Sequence, residues 1–295
     1  MTGLSVATST NPSNLPARYE IRRLTEEHLP WTIAVGFHSN AFYSPIWPAT
    51  YPDAGQRFIG GFSAGEYLLR HQIVSGHSFG IFDLEYKFKR EESKPNGKLY
   101  WDLNKIDASP EELLEQMDFP LVSIAMSYDG INPLDLEKMG PLMKVLPAFE
   151  TTYSMINERD SRKDIWKPTG PKQVLLRNAT ATRHDAEGKG LTRKLADFLM
   201  RYAAEQGFQN IQIVTAHDAV FSVWSNPPRP FNSTLICEFN TQDAIEEKQV
   251  NGETVMTKVF GDAKQRVTKV WVELKPTANG QASQGEPQAQ VGAIV

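Results

Sequence analysis

The sequence has little cysteine, no long hydrophobic run and no excess of positive charge. Cys237 is the single cysteine among 295 residues, which excludes a disulfide framework and a multi-cysteine metal site. The longest apolar runs, such as residues 120–126, are far shorter than a membrane span, and residues 1–16 contain no apolar signal-peptide segment. The formal net charge of −4 gives no general attraction to nucleic acid or anionic membranes. We therefore expect a cytoplasmic protein without a bound metal, in which any anionic ligand needs a local binding device.

The residues that are present suffice for a large hydrophobic core. Apolar residues account for 40% of the sequence and charged residues for 22%, as in ordinary globular proteins. The two ends differ from the rest, because residues 1–16 and 277–295 are rich in small polar residues and poor in large apolar ones. Such segments bury too little surface to offset chain entropy and are predicted to be disordered. Residues 17–276 are predicted to form one folded domain.

Strand-like and helical patterns alternate through this region. Capping boxes at 63–66 and 109–112 predict the starts of two helices. Pro141 and Pro147 are expected to break a helical stretch at 134–158. Predicted strands lie at 19–24, 78–86, 98–103, 121–128, 173–182, 211–215, 233–239 and 267–274. This order of elements favours a mixed α/β sheet.

The most informative segment is the turn between the strand at 173–182 and a strongly amphipathic helix at 188–206. Gly188 and Gly190 lack a Cβ, so the backbone there can approach a ligand closely. The free N–H groups of the first helical turn, together with the helix dipole, attract anions. The cationic side chains around the turn are Arg183, His184, Lys189, Arg193 and Lys194. We interpret the turn as a phosphate cradle; the alternative is an ordinary solvated turn, because the spacing matches neither a Walker A loop nor G-x-G-x-x-G.

The order of elements around this turn resembles the GNAT superfamily of acyl-CoA N-acyltransferases. Its hallmark, Arg/Gln-x-x-Gly-x-Gly/Ala, is matched by residues 185–190, although Asp185 stands at the Arg/Gln position and Arg183 lies two residues earlier. The helix, Gly207, the next strand and a second short helix follow in the family's order. The resemblance is specific over 172–241 and looser over 18–86. The segment 38–52 resembles that of a large fungal branch whose members are mostly uncharacterised.

The resemblance implies a mixed, mostly antiparallel sheet with two splayed central strands, flanked by helices and enlarged by an insertion at about 87–170. It also implies acetyl-CoA or another acyl-CoA as the cofactor, with the pantetheine arm between the splayed strands. The residues that would bind pantetheine through their main chain are Ala179, Thr180, Ala181 and Thr182. Those that would hold the pyrophosphate are Arg183, Glu187, Gly188, Lys189, Gly190, Leu191 and Arg193. The activity implied is direct acetyl transfer to a small-molecule amine in a ternary complex.

The groups that handle protons are less clearly marked. Many family members use a tyrosine as general acid, and its usual position holds Trp224, whose indole does not titrate usefully. The alternative candidates are the pair His217 and Asp218, with His217 as a base at the end of a strand, and Ser222. His38, at the expected end of the first helix, is the fourth candidate. The structural alternatives are a capping role for His217 and Asp218 and stabilisation of the helix C-terminus by His38.

Two further alternatives concern the protein as a whole. Trp224 at the usual tyrosine position is compatible with a CoA- or ligand-binding protein that has no transferase activity, or with a fold adapted to another reaction in secondary metabolism.

The aromatic residues of segment 38–52 are Phe42, Tyr43, Trp47 and Tyr51, which either line an acceptor pocket or belong to the core. The expected partner is a small-molecule amine, and a homodimer is left open.

Overall fold

The computed structural model describes residues 15–250 and 252–274. The tail predicted to be disordered at 277–295 lies outside the described residues, as do residues 1–14 of the N-terminal segment. Leu15 is described and is 3% exposed within a hydrophobic cluster. The prediction of disorder is therefore wrong for Leu15, because its side chain is buried against the core.

A seven-stranded sheet organises the part of the chain that the structure describes. Its strands are β1 Tyr19–Arg23, β2 Phe79–Asp83, β5 Leu121–Asp129, β6 Val174–Thr182, β7 Asn210–Thr215, β8 Asn232–Asn240 and β11 Arg266–Glu273. They lie in the order β1-β2-β5-β6-β7-β11-β8. Neighbouring strands are antiparallel except β6 and β7, which are parallel. Two separate ribbons pair β3 Lys98–Leu99 with β4 Met117–Asp118 and β9 Ile245–Val250 with β10 Glu253–Lys258.

Helices cover both faces of this sheet. Their bounds are α1 Leu29–Tyr43, α2 Trp47–Thr50, α3 Ala54–Gly60, α4 Glu66–Val74, α5 Pro110–Glu115, α6 Leu136–Val145, α7 Pro147–Glu158, α8 Leu191–Glu205 and α9 Asp218–Trp224. The core on one face draws on α1, α4, α6 and α7, and the core on the other face draws on α8 and α9. Helix α8 packs through the apolar stripe that the sequence predicted, since Leu191, Leu195 and Leu199 are all buried. The predicted mixed α/β sheet with flanking helices is confirmed.

The predicted helix boundaries were right at two positions and wrong at two. Ser109 caps α5, because its Oγ accepts a hydrogen bond from the Glu112 N–H, and Pro147 begins α7. The capping box at 63–66 is wrong: residues 62–65 form a 3₁₀ turn, and Gly65 precedes α4 without a side-chain cap. The break at Pro141 is also wrong, because α6 continues through it. Met139 and Leu142, on either side of Pro141, are both buried, so packing against the core holds the helix together at the proline.

The two parallel strands separate halfway along their length. Residues 174–177 of β6 pair with 210–213 of β7, and the pairing ends there. Asn178 is an extra residue in β6 with no partner on β5, which makes it a β-bulge that bends the strand. Beyond this point β6 stays paired with β5, and β7 stays paired with β11. A V-shaped gap therefore opens between 178–182 and 214–217, and the predicted splay is confirmed.

A buried ion pair ties α7 and its following loop to the sheet. The Lys269 Nζ lies 3.1 Å from an Asp160 carboxylate oxygen, and both side chains are 1% exposed. Arg162 binds the same carboxylate at 2.7 Å. Burial raises the pKa of Asp160, but the hydrogen bonds from Arg162 and Lys269 lower it further, to about 2. Asp160 is thus held ionised in the folded protein.

We expect Asp160→Asn to lower the free energy of unfolding at neutral pH by about 3 kcal/mol, because Lys269 is left buried without a counter-charge. The pKa of Asp160 is lower in the folded protein than in the unfolded chain. The wild-type ion pair therefore stabilises the folded protein fully at pH values above the unfolded-state pKa. It loses about 2 kcal/mol as the pH falls through the folded pKa. Urea unfolding from pH 7 to 1.5 measures both effects. Asp164→Asn, which breaks the exposed pair with Lys167, is the control; an equal loss there would contradict the assignment.

Candidate functional site

A cavity of about 600 Å³ occupies the gap between β6 and β7. Its strand walls are residues 178–182 of β6 and the segment 213–217 at the end of β7. On one face of the sheet it is lined by the beginning of α8 and by α9, and on the other face by α1, α4, α6 and α7. The cavity therefore passes through the sheet and joins its two faces.

The glycine turn forms the end of the cavity on the α8 face. Gly188 and Gly190 have φ values of 74° and 70°, a conformation that L side chains rarely adopt. A Cβ built on either glycine meets no atom within 4 Å, so the space next to both is open. The Lys194 N–H donates to the Gly190 carbonyl, so the N–H groups of residues 191–193 have no partner within the helix. The turn has the features of an anion cradle at a helix N-terminus.

Arg183 does not provide a charge for this cradle. It is 1% exposed, and its guanidinium donates to the Phe119 carbonyl at 2.7 Å and to both Asp185 carboxylate oxygens at 2.7 and 3.1 Å. The expectation that Arg183 holds pyrophosphate is therefore corrected, because its donors are used inside the protein. The same contacts explain Asp185 at the hallmark's Arg/Gln position, where it ties the turn to buried Arg183.

Two other cations of the turn line the cavity. Lys189 is exposed, and its Nζ donates to the Asp185 carbonyl at 3.1 Å. Arg193 donates to the carbonyls of Val223 and Asn226 at the end of α9, at 3.1 and 2.8 Å. Arg193 therefore joins α8 to α9, and Lys189 places its charge at the turn itself.

The main chain of β6 presents polar groups to the gap at alternate residues. The Arg183 N–H donates to the Val122 carbonyl of the neighbouring strand. In an antiparallel ladder the bonded residues alternate, so residues 179 and 181 bond to β5 as well. The main-chain N–H and C=O groups of Thr180 and Thr182 consequently point towards β7, which is no longer paired there. Of the four predicted pantetheine residues, these two expose their backbone to the cavity.

His217 lines the cavity at the end of β7, but its hydrogen bonding does not match the role of a base. Its Nδ1 accepts the Ala219 N–H at 3.0 Å and so caps α9. The proton of a neutral His217 must then lie on Nε2, and the ring offers the cavity a donor. Asp218 does not line the cavity, and its carboxylate accepts a hydrogen bond from Gln265. Ser222 is exposed and also lies outside the lining, so neither prediction of a catalytic role matches the geometry.

His38 and Trp224 are both buried outside the cavity lining. His38 lies inside α1, not at its end, and its Nε2 donates to the Pro110 carbonyl at 2.8 Å. Burial lowers the pKa of His38, so the neutral ring is a structural group and the catalytic prediction is wrong. Trp224, the last residue of α9, is fully buried in the hydrophobic cluster that includes α8. Its position therefore presents no side chain to the cavity at all.

The far end of the cavity has an aromatic and aliphatic wall that the sequence only partly indicated. Of the four aromatic residues in segment 38–52, Tyr43 and Trp47 line the cavity, while Phe42 and Tyr51 pack in the core. The remaining apolar residues on this face are Phe37, Phe58, Leu68, Leu69, Leu142, Leu146 and Phe149. The spacing of 142, 146 and 149 is helical and could have been noticed, but Pro147 divides it between two helices. We call this part of the cavity the apolar chamber.

Part of the segment 87–170, predicted as an insertion, reaches this chamber. Helices α6 and α7 contribute Leu142 and Phe149 to the lining, and Leu146 lies between them. Residues 87–120, all of them described, contribute nothing to it. The segment also supplies β5, a strand of the main sheet.

Neither protein-family models nor curated proteins match this chain. Solved structures do match it. The C-terminal condensation domain of Ebony, in complex with beta-alanyl-dopamine, is 15% identical with a TM-score of 0.56 and covers 86% of this chain and 98% of its own. Arylalkylamine N-acetyltransferase 2 from Aedes aegypti is 13% identical, with a TM-score of 0.51 and coverages of 88% and 100%. A mutant agmatine N-acetyltransferase is 12% identical with a TM-score of 0.50, and it covers 86% of this chain and 98% of its own.

At these identities the likeness concerns the fold. The chain has the mixed α/β fold of the GNAT-type N-acetyltransferases, with a mostly antiparallel sheet flanked by helices. The fold class that the sequence predicted is confirmed.

Proposed function

We propose that this chain is an acyl-CoA-dependent N-acyltransferase that moves an acetyl group from acetyl-CoA to a small-molecule amine. The observation that carries the proposal is the passage through the sheet, which joins an anion cradle on one face to an apolar chamber on the other. Such a passage lets two substrates meet from opposite faces at the splayed strands. The likeness of the fold to solved N-acetyltransferases supports the same activity.

The residues of the cradle fit a pyrophosphate and the strand edge fits an amide-containing arm. The N–H groups of residues 191–193 and the charge of Lys189 would hold the phosphates, with Gly188 and Gly190 allowing close approach. The main-chain groups of Thr180 and Thr182 would bond the pantetheine amides. When bound, the cofactor supplies an acetyl group activated as a thioester.

Direct transfer is the mechanism that the lining supports. The side chain of Cys237 is not among the described residues that line the cavity. Its Sγ donates to the Ile156 carbonyl, and burial raises the pKa of the thiol. With no thiol nucleophile placed at the gap, we assign the attack to the amine itself. The amine nitrogen would bond to the acetyl carbon as the carbon–sulfur bond breaks, and the proton released from the nitrogen would end on the thiolate of the leaving coenzyme A. His217 would hydrogen-bond through its Nε2–H, without giving up that proton, to the thioester oxygen or sulfur as negative charge develops there.

The non-catalytic alternative is favoured by one observation: the usual position of the acid, Trp224, faces the core. Titration of the purified chain with acetyl-CoA by calorimetry, followed by thiol release with a panel of primary amines, tests both functions. We expect binding together with amine-dependent thiol release. Binding without release for any amine would leave a CoA-binding protein, and the absence of binding would overturn both.

Membership of the fungal branch, a cytoplasmic location and a homodimer stay predictions from the sequence. Among the described helices, none is long and apolar enough to cross a membrane.

A further inference from the structure

We propose that the acceptor is a primary amine on an aromatic or other apolar body that carries no second charge. The inference rests on the proposed transferase function and specifies which amines the apolar chamber admits. It follows from the apolar wall of the chamber and from the hydrogen bonds that its polar side chains already make within the protein.

The wall of the chamber is built from aromatic rings in mutual contact. Phe37 and Phe58 meet edge to face with 5.0 Å between their centroids. Trp47 packs against Phe58 and Phe149, each at 6.4 Å. Leu68 belongs to the same wall and is 6% exposed. This wall provides dispersion contacts and ring edges, which favour an aromatic guest.

The polar side chains of the chamber are largely used by the protein. Asn40 donates to the Gly36 carbonyl and accepts from the Trp47 indole. The Ser44 hydroxyl accepts two main-chain N–H groups at the start of α2. Neither side chain therefore has its full hydrogen-bonding capacity available for a cationic guest.

The chamber also lacks a counter-charge. Among the described residues that line the cavity, the acidic one is Glu187, which lies at the glycine turn on the α8 face. It is paired there with His184 at 3.1 Å. Burial raises the pKa of Tyr43, with Glu111 and Glu187 adding to the effect, so its phenol is neutral. His184 stacks on Tyr43 with 3.8 Å between the ring centroids, so Glu187 is the lining carboxylate nearest the chamber, and it is already paired with His184.

This arrangement discriminates between classes of amine. A guanidinium stays protonated at all working pH values, and a buried charge without a partner is costly. Agmatine and putrescine would each place a second cation against the aromatic wall. 2-Phenylethylamine can enter as the free base and place its ring there instead. We therefore expect kcat/KM for 2-phenylethylamine to exceed that for agmatine and for putrescine by at least about 100-fold.

The test uses the full chain with acetyl-CoA and these three amines, and it includes calorimetric binding of each amine to the complex with free coenzyme A. Tighter binding and faster turnover of 2-phenylethylamine support the proposal. Equal or faster turnover of agmatine or putrescine overturns it while the transferase function stands. Binding of acetyl-CoA without turnover of any amine overturns the transferase function, and the acceptor proposal falls with it.

A charge placed in the chamber provides a second, independent measurement. Ser39 on α1 is half-buried and lines the cavity. In Ser39→Asp, a carboxylate becomes available to a second cation, and the ratio of agmatine to 2-phenylethylamine turnover should rise at least about 10-fold relative to Ser39→Asn, which matches it in size. If the ratio of agmatine to 2-phenylethylamine turnover were the same in these two folded variants, the lack of a carboxylate in the chamber would not explain the selectivity.

Discussion

Replacing Gly188 by valine is expected to weaken acetyl-CoA binding by at least about 100-fold, or more than about 2.7 kcal/mol. A β-branched residue is strained at a φ of 74°, so the turn must change shape to accept it. Its side chain also enters open space beside the turn, where no protein atom lies within 4 Å of the added Cβ. That is the space proposed for the pyrophosphate. Calorimetric titration with acetyl-CoA measures the loss.

Gly76 provides a matched control for the backbone cost. Its φ is 76°, and an added Cβ there also meets no atom within 4 Å. Gly76 follows α4 and does not line the cavity. Gly76→Val should therefore cost similar stability in urea unfolding and leave the affinity for acetyl-CoA at its wild-type value. Similar affinities for Gly188→Val and the wild type would refute the phosphate cradle.

Replacing His217 by alanine is expected to lower kcat by about 100-fold with little change in KM, because a donor that acts on developing charge is lost. The shape of the pH profile should be retained. A base would act differently: its removal would abolish the acid limb of the pH profile. Steady-state rates from pH 5.5 to 9 distinguish the two roles.

The same change also removes the cap of α9, which is worth about 1 kcal/mol. His217→Ser separates the two effects, since serine caps a helix well but is too short to replace the imidazole Nε2. We expect His217→Ser to recover the stability lost in His217→Ala without recovering kcat. If turnover returned with the cap, His217 would act only by positioning α9.

Much of the fold could be predicted because each main strand carries its own pattern. The strand predicted at 19–24 is observed at Tyr19–Arg23, and the one predicted at 267–274 at Arg266–Glu273. The β9–β10 ribbon was missed. Most of its described side chains are exposed on both faces, so it has no apolar alternation by which a strand is recognised.

The two ends of the candidate site differed in how far the sequence revealed them. The glycine turn is local, and its backbone conformation and helix N-terminus follow from adjacent residues. The apolar chamber brings together Phe37, Phe58 and Phe149, which are far apart in the chain. Each of them is equally suited to an ordinary core position, so no local pattern could mark them as a binding wall.

The sequence by itself determined the turn at 188–190, the amphipathic helix after it and the positions of the main strands along the chain. Glycine conformation and hydrophobic periodicity depend on neighbouring residues, which is why these features could be read directly. Tertiary structure decided what the charged and titratable groups do. Arg183 became a buried anchor and His217 a helix cap, because the contacts that occupy them come from the tertiary packing and from the next element. The gap between β6 and β7 likewise exists because each strand remains bonded to its outer neighbour, and that registry is a property of the whole sheet.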